Sequence, residues 1–297
     1  MTTPFPVSIK KIGVFALSNA PDEALLARGQ ANLRRVIPAE VTVSCETTAL
    51  PRRFAGSDEI RAKRFNDLVA SPEVDFLLAA RGGYGVTRVL EQIDFEALRA
   101  SGKSVCGYSD VTALLLAAWK AGCRRLIHGP MLCSSWAQEP DTEEFRQETK
   151  SFLQVVNGKW RFPPEEWHPQ ILKAGQGRGP VVPCNLTLLC ALLGTPFLPE
   201  LKNAILVLED VHEPSHAIDR RLNQLRQAGI LSCLAGLVYG QFTEGEDNEY
   251  LPEILREYAE AIPGPVVAGY PLGHSHPSLS MPVGCPITLS ASPEALY

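Results

Sequence analysis

Short apolar runs alternate with helical patterns along the first half of the chain, and this alternation limits the possible folds. The runs predict strands at Ile12–Leu17, Val41–Cys45, Asp75–Ala80, Ser104–Gly107 and Leu126–His128. The helical patterns predict helices at Pro21–Val36, from the capping residue Ser57 to about Ala70, at Val86–Gln92 and at Asp110–Ala121. Such alternation is typical of a parallel sheet with helices on both sides. Ligand sites of such sheets lie at the carboxyl ends of the strands.

A stretch rich in glycine and proline interrupts this alternation at residues 157–180. We therefore predict an α/β chain with a parallel-sheet N-terminal domain of flavodoxin-like layering at 1–157, a linker at 158–178 and a smaller α/β C-terminal domain at 179–297. Trp160 and Trp167 favour a linker that packs against the protein over one that swings freely. Predicted elements of the second half are strands at Gly179–Val182, Ala204–Leu208, Leu234–Gln241, Val266–Gly269 and within Pro282–Leu289, and helices at Leu186–Leu193, after a capping Ser215, and at Glu249–Ala261.

Composition and charge exclude several classes of protein. Hydrophobic residues make up 45% of the chain and charged residues 21%, which is ordinary globular usage. The net charge of −5 argues against nucleic-acid binding, which needs a basic patch. No apolar run approaches the ~20 residues of a membrane span, and the run after Lys11 is too short for a signal peptide. The eight scattered cysteines form no CxxC pair, so we expect free thiols and a cytoplasmic protein without membrane or nucleic-acid partners.

The motif GYSD at residues 107–110 predicts a sharp turn from a strand into a helix. This geometry would present the Ser109 hydroxyl at the end of the sheet, as in a nucleophile elbow that lacks the final glycine. The backbone N–H of Asp110 would lie at a helix N-terminus, where partial positive charge suits an oxyanion. Helix capping by Ser109 or Asp110 is the favoured alternative when this motif is taken alone.

The motif RGGYG at residues 81–85 places two glycines after a buried strand, which allows close approach of the backbone to a ligand. It could supply an oxyanion N–H or cradle a phosphate, although the spacing fits neither GxGxxG nor a Walker motif. A plain tight turn is the alternative.

An acid and a histidine complete the candidate chemistry. LEDV places Glu209 and Asp210 at the end of an apolar strand, where they alternate in direction, so one of them could orient a histidine. The alternative is simple solvation of both acids. GHSH supplies His274, and His276 ranks lower as a candidate base. The remaining competitors are His128, His212 and His216, and the HEPSH spacing of the last two lacks the helical context of a metal site.

Taken together and in order, the motifs RGGYG, GYSDVTALL, HGPM, NLTLL, LEDV with IDRRLNQL, YGQF and YPLGH…MPVG resemble the LD-carboxypeptidase family. Its best-known members are the muramoyltetrapeptide carboxypeptidases, and the resemblance spans about residues 12 to 285. It implies two α/β domains, a homodimer, no metal and no cofactor. The catalytic triad that it implies is Ser109, Glu209 and His274, with Gly83 and Asp110 as oxyanion donors through their N–H groups.

The implied reaction releases the terminal D-alanine from a murein tetrapeptide during cell-wall recycling in the cytoplasm. Arg81, Tyr84 and Asn185 are predicted to bind the substrate, although Arg81 could equally be structural. Pro183 and Cys184 stand where family members often carry two glycines, and we expect this loop near the site to influence substrate preference.

Two other functions remain open at this point. Some relatives resemble immunity peptidases that hydrolyse an aminoacyl-nucleotide antibiotic, but those chains tend to be longer in the middle. A non-catalytic sugar- or nucleotide-binding protein could use the same α/β layout, since fold alone does not decide function.

Overall fold

Two mainly parallel sheets, each of six strands, form in the residues that the computed structural model describes, namely 4–47, 53–164 and 167–292. The first sheet contains β1 (Lys11–Phe15), β2 (Glu40–Ser44), β3 (Phe76–Ala79), β4 (Ser104–Gly107), β5 (Leu126–His128) and, from the far end of the chain, β11 (Met281–Pro282). The strand order is β2-β1-β3-β4-β5-β11, in which only β11 is antiparallel to its neighbour.

Helices cover both faces of the first sheet, which confirms the predicted fold class. They are α1 (Glu23–Val36), α2 (Asp58–Ala70), α3 (Phe95–Ser101), α4 (Thr112–Lys120) and α5 (Glu143–Val156). Side chains of α1 and α5 share one apolar cluster with the sheet, and those of α2, α3 and α4 share another. The N-caps are local: Ser57 Oγ accepts from the N–H of Ile60, as predicted, and Asp22 Oδ1 accepts from that of Leu25.

The second sheet contains β6 (Gln170–Lys173), β7 (Gly175–Asn185), β8 (Ile205–Val211), β9 (Gly236–Thr243), β10 (Val266–Ala268) and β12 (Pro286–Ala291) in the order β12-β7-β8-β9-β10-β6. The four central strands are parallel and the two edge strands antiparallel. One face packs on α6 (Leu186–Ala191), α7 (Ser215–Gln227) and α8 (Leu251–Ala259), and this core is continuous with that of α4. The second sheet and α4 of the first sheet therefore share one apolar core.

Aromatic side chains cover the opposite face of the second sheet. Trp167 lies 5.0 Å from the ring of Tyr270, and Phe162 lies 5.8 Å from the same ring. Trp160 packs against this cluster as well, so the segment after α5 is held on the protein, in the way that its tryptophans suggested.

Part of the predicted linker is strand. Residues 170–173 form β6, and the glycine-rich residues 175–179 begin β7, so the linker prediction of 158–178 is too long. The glycines serve close approach, because a Cβ on Gly177 would lie 1.9 Å from the carbonyl oxygen of Ala235 and one on Gly179 would lie 1.8 Å from that of Asn203. The return of β11 to the first sheet also means that residues 179–297 do not form one sheet alone.

Some helix predictions differ from the structure. The helices α3 and α5 are absent from the sequence predictions, and Val86–Gln92 forms two short 3₁₀ turns instead of one helix. Ser215 is the first residue of α7 rather than its cap, because Pro214 occupies the capping position. None of the eight cysteines, all of which lie in the described ranges, forms a disulfide. No helix in the described ranges has the length and apolarity needed to cross a membrane.

Candidate active site

The nucleophile candidate lies in a sharp turn directly after β4. Ser109 has a φ of 61°, in the left-handed region that side chains other than glycine rarely adopt. A Cβ on Gly107 would lie 2.8 Å from Val111 Cγ1, so the strand and the following helix approach closely at this glycine. Neither Ser109 nor Asp110 caps the helix, which removes the capping alternative. Strain of this kind is concentrated at functional sites.

The buried carboxylate of Asp110 ties the neighbouring loops to this turn. Its Oδ2 accepts hydrogen bonds from Ser18 Oγ at 2.6 Å and from the Val86 N–H at 2.9 Å. Burial raises the pKa of this carboxyl group, and the bonds from Ser18 and Val86 oppose that rise. The backbone N–H of Asp110 lies in the first turn of a helical segment, where N–H groups have no partner within the helix. The residue thus has a side chain that holds the neighbouring loops and a backbone amide at the start of a helical segment.

The RGGYG loop lies directly against Ser109. A Cβ on Gly82 would lie 2.8 Å from Ser109 Oγ, and one on Gly83 would lie 2.6 Å from Asn19 Nδ2. Gly83 has a φ of 124°, which a side chain would strain. The N–H of Gly83 belongs to the peptide bond between Gly82 and Gly83. This amide is therefore next to the contact between Gly82 and Ser109. The loop is therefore more than a plain turn, and Asn19 is a neighbour that the sequence analysis did not identify.

Glu209 and His274 are brought together from two strand ends. The Glu209 side chain is fully buried in β8, and its Oε2 lies 2.7 Å from His274 Nδ1. Burial raises the pKa of the Glu209 carboxyl group, and the bond to His274 partly offsets that rise. With Nδ1 engaged, the other ring nitrogen, Nε2, is the one available to exchange a proton with a substrate or nucleophile.

The neighbouring acid points the other way, as strand alternation predicted. Asp210 Oδ2 accepts from the Thr187 N–H at 3.0 Å and the Thr187 hydroxyl at 2.6 Å, and its Oδ1 accepts from Asn185 Nδ2 at 2.9 Å. Asn185 is buried, and its Oδ1 caps α6 by accepting from the Leu188 N–H. Both acids are buried, which excludes simple solvation. Because Asn185 uses both side-chain groups on the protein, the structure favours a positioning role over the predicted substrate contact.

Tyr108 connects His274 with the turn at residues 107–110, which carries the candidate Ser109 and is here called the nucleophile turn. Its ring centroid lies 5.1 Å from that of His274 in an edge-to-face arrangement and 5.8 Å from that of His128. No hydrogen bond within the described residues joins Ser109 Oγ to the His274 ring. Such contacts are often loose without a ligand and tighten in the reacting complex. The sequence GYSD shows that an aromatic residue precedes the serine, but the contact of this residue with His274 is known only from the structure.

His128 is a buried histidine whose two ring nitrogens have no hydrogen-bond partner among the described residues. Burial, together with the neighbouring His274, lowers its pKa to about 3. The folded protein therefore holds this ring neutral, whereas the unfolded chain binds a proton below about pH 6.5.

This difference predicts a loss of stability in acid. The folded pKa lies below the unfolded one, so the stability from His128 is complete above pH 6.5 and declines as the pH falls toward 3. We expect His128→Gln to remove up to about 1.4 kcal/mol per pH unit from the pH dependence of the unfolding free energy between pH 6 and 4. Urea unfolding at several pH values measures this slope, and an identical slope in both proteins would contradict the assignment.

The other predicted binding residues lie at the rim. Arg81 donates from Nε to the Gly82 carbonyl at 3.2 Å and from Nη1 to that of Ala20 at 3.4 Å, which favours its structural alternative. Tyr84 is 53% exposed and its ring lies 5.7 Å from that of Phe54, so it remains placed to meet a ligand.

The Pro183–Cys184 departure lies within β7, opposite Val207 and Leu208, and is buried. The expectation of a loop at this position is therefore wrong. The next residue, Asn185, pairs in register with Glu209, which brings this departure close to the candidate acid.

Known proteins share this arrangement of two domains. Residues 12–129 match the LD-carboxypeptidase N-terminal domain and residues 178–289 match the LD-carboxypeptidase C-terminal domain. A probable murein peptide carboxypeptidase of Bacillus subtilis is 31% identical over 245 residues, covering 80% of this chain and 76% of that protein. The chain belongs to the LD-carboxypeptidase family. It is therefore an enzyme, a serine-type hydrolase of the carboxypeptidase kind.

Two further family relatives differ in their named activities. The crystal structure of muramoyltetrapeptide carboxypeptidase from Oxalobacter formigenes superposes with a TM-score of 0.82 at 29% identity, covering 95% of this chain and 96% of that one. The microcin C7 self-immunity protein of Escherichia coli is 25% identical over 265 residues, covering 79% of this chain and 76% of that protein. Family membership thus leaves the substrate to be argued from the site.

Proposed function

We propose that this LD-carboxypeptidase releases the terminal D-alanine of a murein tetrapeptide through Ser109, His274 and Glu209. The observation that carries the proposal is the 2.7 Å contact between buried Glu209 and His274, with Tyr108 placing that ring beside the nucleophile turn. The named activities of the relatives from Bacillus subtilis and Oxalobacter formigenes support the substrate class.

The chemistry begins with proton transfer from the Ser109 hydroxyl to His274 Nε2. The serine oxygen attacks the carbonyl carbon that precedes D-alanine, while Glu209 holds the ring and stabilises the imidazolium. The N–H groups of Gly83 and Asp110 bind the resulting oxyanion, at about 3 kcal/mol for each donor in comparable enzymes.

The tetrahedral intermediate then collapses. His274 donates its proton to the leaving amine, the peptide C–N bond breaks, and an ester on Ser109 remains. Water loses a proton to the same ring and attacks this ester, which releases the shortened peptide and restores the serine. A cationic or N–H contact is also required for the carboxylate of D-alanine, and the exposed rim around Tyr84 is our candidate region for it.

A second candidate is hydrolysis of an aminoacyl-nucleotide antibiotic, which the similarity to the microcin C7 self-immunity protein supports. The expectation that immunity peptidases tend to be longer in the middle favours the murein peptide. The resemblance to the LD-carboxypeptidase family implies a cytoplasmic homodimer, and both properties stay predictions.

A direct assay separates the two substrates. We expect the purified protein to release D-alanine from murein tetrapeptide with a kcat/KM at least about 10²-fold above that for an aspartyl sulfamoyl adenosine analogue, because a site built for one leaving group rejects the other. Mass spectrometry of both products measures the ratio. A higher kcat/KM for the nucleotide analogue would contradict the murein substrate and support the second candidate function.

A further inference from the structure

The loop that carries His274 crosses between the two sheets. Residues 271–280, here called the histidine loop, leave the second sheet after β10 and enter β11 of the first sheet. The loop is closed on itself, since the Gly273 N–H donates to Ser278 Oγ at 3.1 Å and the Leu279 N–H donates to the Pro271 carbonyl at 2.7 Å. Its position relative to Ser109 therefore depends on what supports the loop from outside.

Helix α5 of the N-terminal domain provides that support through Glu148. This side chain is 3% exposed, and its Oε1 lies 2.6 Å from His276 Nδ1 and accepts from the Ser278 N–H at 2.9 Å. Its Oε2 accepts from Gln138 Nε2 at 3.0 Å. One turn later, Ser151 Oγ accepts from the Ser280 N–H at 3.0 Å. Two side chains of one helix thus bind three positions of the histidine loop.

Charge reinforces the contact. The hydrogen bond to Glu148 raises the pKa of His276, and the nearby Glu144 acts in the same direction, while burial opposes both. A buried carboxylate is unfavourable unless it is paired and hydrogen-bonded, and among the described residues Glu148 finds its partners in this loop and in Gln138. His276 is therefore more than a competitor of His274: its hydrogen bond to Glu148 ties the loop to α5.

We propose that Glu148 is a positioning residue whose buried carboxylate fixes the histidine loop so that His274 lies over the nucleophile turn. The inference rests on the proposed function of His274. Glu148 contacts neither His274 nor Ser109, and it acts through His276 and the backbone of Ser278. A displacement of about 1 Å in a catalytic group can lower a rate by about 10²-fold.

The test compares Glu148→Ala and Glu148→Gln with Glu144→Gln as the matched control. Glu144 lies one turn earlier on α5, is exposed, and loses the same charge without losing a bond to the loop. The measurements are kcat and KM for D-alanine release, the rate at which a fluorophosphonate probe modifies Ser109, and the melting temperature.

We expect Glu148→Ala to lower kcat and the Ser109 labelling rate by about 10- to 100-fold, with KM within about 2-fold, because the substrate pocket is intact and the base is displaced. Glu148→Gln should show a smaller fall in the same two rates, and Glu144→Gln should match the parent. Parental kcat and labelling in folded Glu148→Ala would overturn the proposal.

Two further results keep the test decisive. If Glu148→Ala does not fold, a variant of the half-exposed His276 takes its place in the test. His276→Ala should lower kcat and the Ser109 labelling rate about 3- to 10-fold. Parental rates in both His276→Ala and Glu148→Gln would overturn the proposal. If the parent protein is labelled at Ser109 but does not hydrolyse the tetrapeptide, the substrate assignment is wrong. The labelling rates of the variants still decide the role of Glu148. An unlabelled Ser109 in the parent would overturn both.

Discussion

Replacement of Ser109 by alanine is expected to lower kcat for D-alanine release by about 10⁴- to 10⁶-fold, as loss of the nucleophile does in other serine hydrolases. The proposed mechanism has no other group that could form the ester, and the remaining activity would come from binding and the oxyanion donors alone. Stopped assays with enzyme in excess over substrate measure so low a rate.

Ser275→Ala is a suitable control for this variant. Ser275 follows His274 and is half-buried, so its hydroxyl lies in the same region but has no assigned role. Its kcat should stay within about 2-fold of the parent, as is usual for substitutions away from special features. A Ser109→Ala protein that keeps more than a few per cent of the parental kcat would contradict the mechanism.

Replacement of Glu209 by glutamine is expected to lower kcat by about 10⁴-fold, the size of the effect when the triad acid of another serine protease is made an amide. The amide can present an N–H to His274 Nδ1, which would place the ring proton on Nε2 and prevent that atom from accepting the serine proton. The shape of the buried side chain is kept, so the loss should appear in kcat without unfolding. Steady-state kinetics and a thermal melt measure the two effects separately.

Asp210→Asn provides the contrast. Asp210 lies next to Glu209 in sequence but accepts its hydrogen bonds from Asn185, Thr187 and the backbone of Val211. Its replacement should lower the unfolding free energy by about 1–3 kcal/mol and leave kcat of the folded protein within about 10-fold of the parent. If Asp210→Asn were the variant with the large catalytic loss, the assignment of Glu209 as the acid would be wrong.

The parallel sheets could be predicted because their causes are local in sequence. Buried strands such as Phe76–Ala79 are entirely apolar, and helix starts such as that after Ser57 have a capping side chain. The glycine-rich residues 175–179 were misjudged because flexibility and close packing require the same residue. The carbonyl groups of Asn203 and Ala235, which leave no room for a Cβ on Gly179 and Gly177, show that close packing is the reason here.

The candidate site divides in the same way. Ser109 and His274 follow strands and Glu209 lies near the carboxyl end of β8, so their placement along one edge could be expected from parallel topology, and their catalytic roles stay predictions. The pair of Glu148 and His276 joins residues 128 positions apart, and α5 was not predicted at all. A long-range hydrogen bond between a helix and a loop leaves no spacing pattern in the sequence.

The account depends most on the claim that His274 activates the Ser109 hydroxyl. The most direct measurement is peptide mapping by mass spectrometry after treatment with a fluorophosphonate, for the parent and for His274→Ala. We predict that the probe modifies Ser109 in the parent and that this modification is almost abolished in the variant. Modification of a different residue, or undiminished modification of Ser109 without the imidazole, would contradict the account.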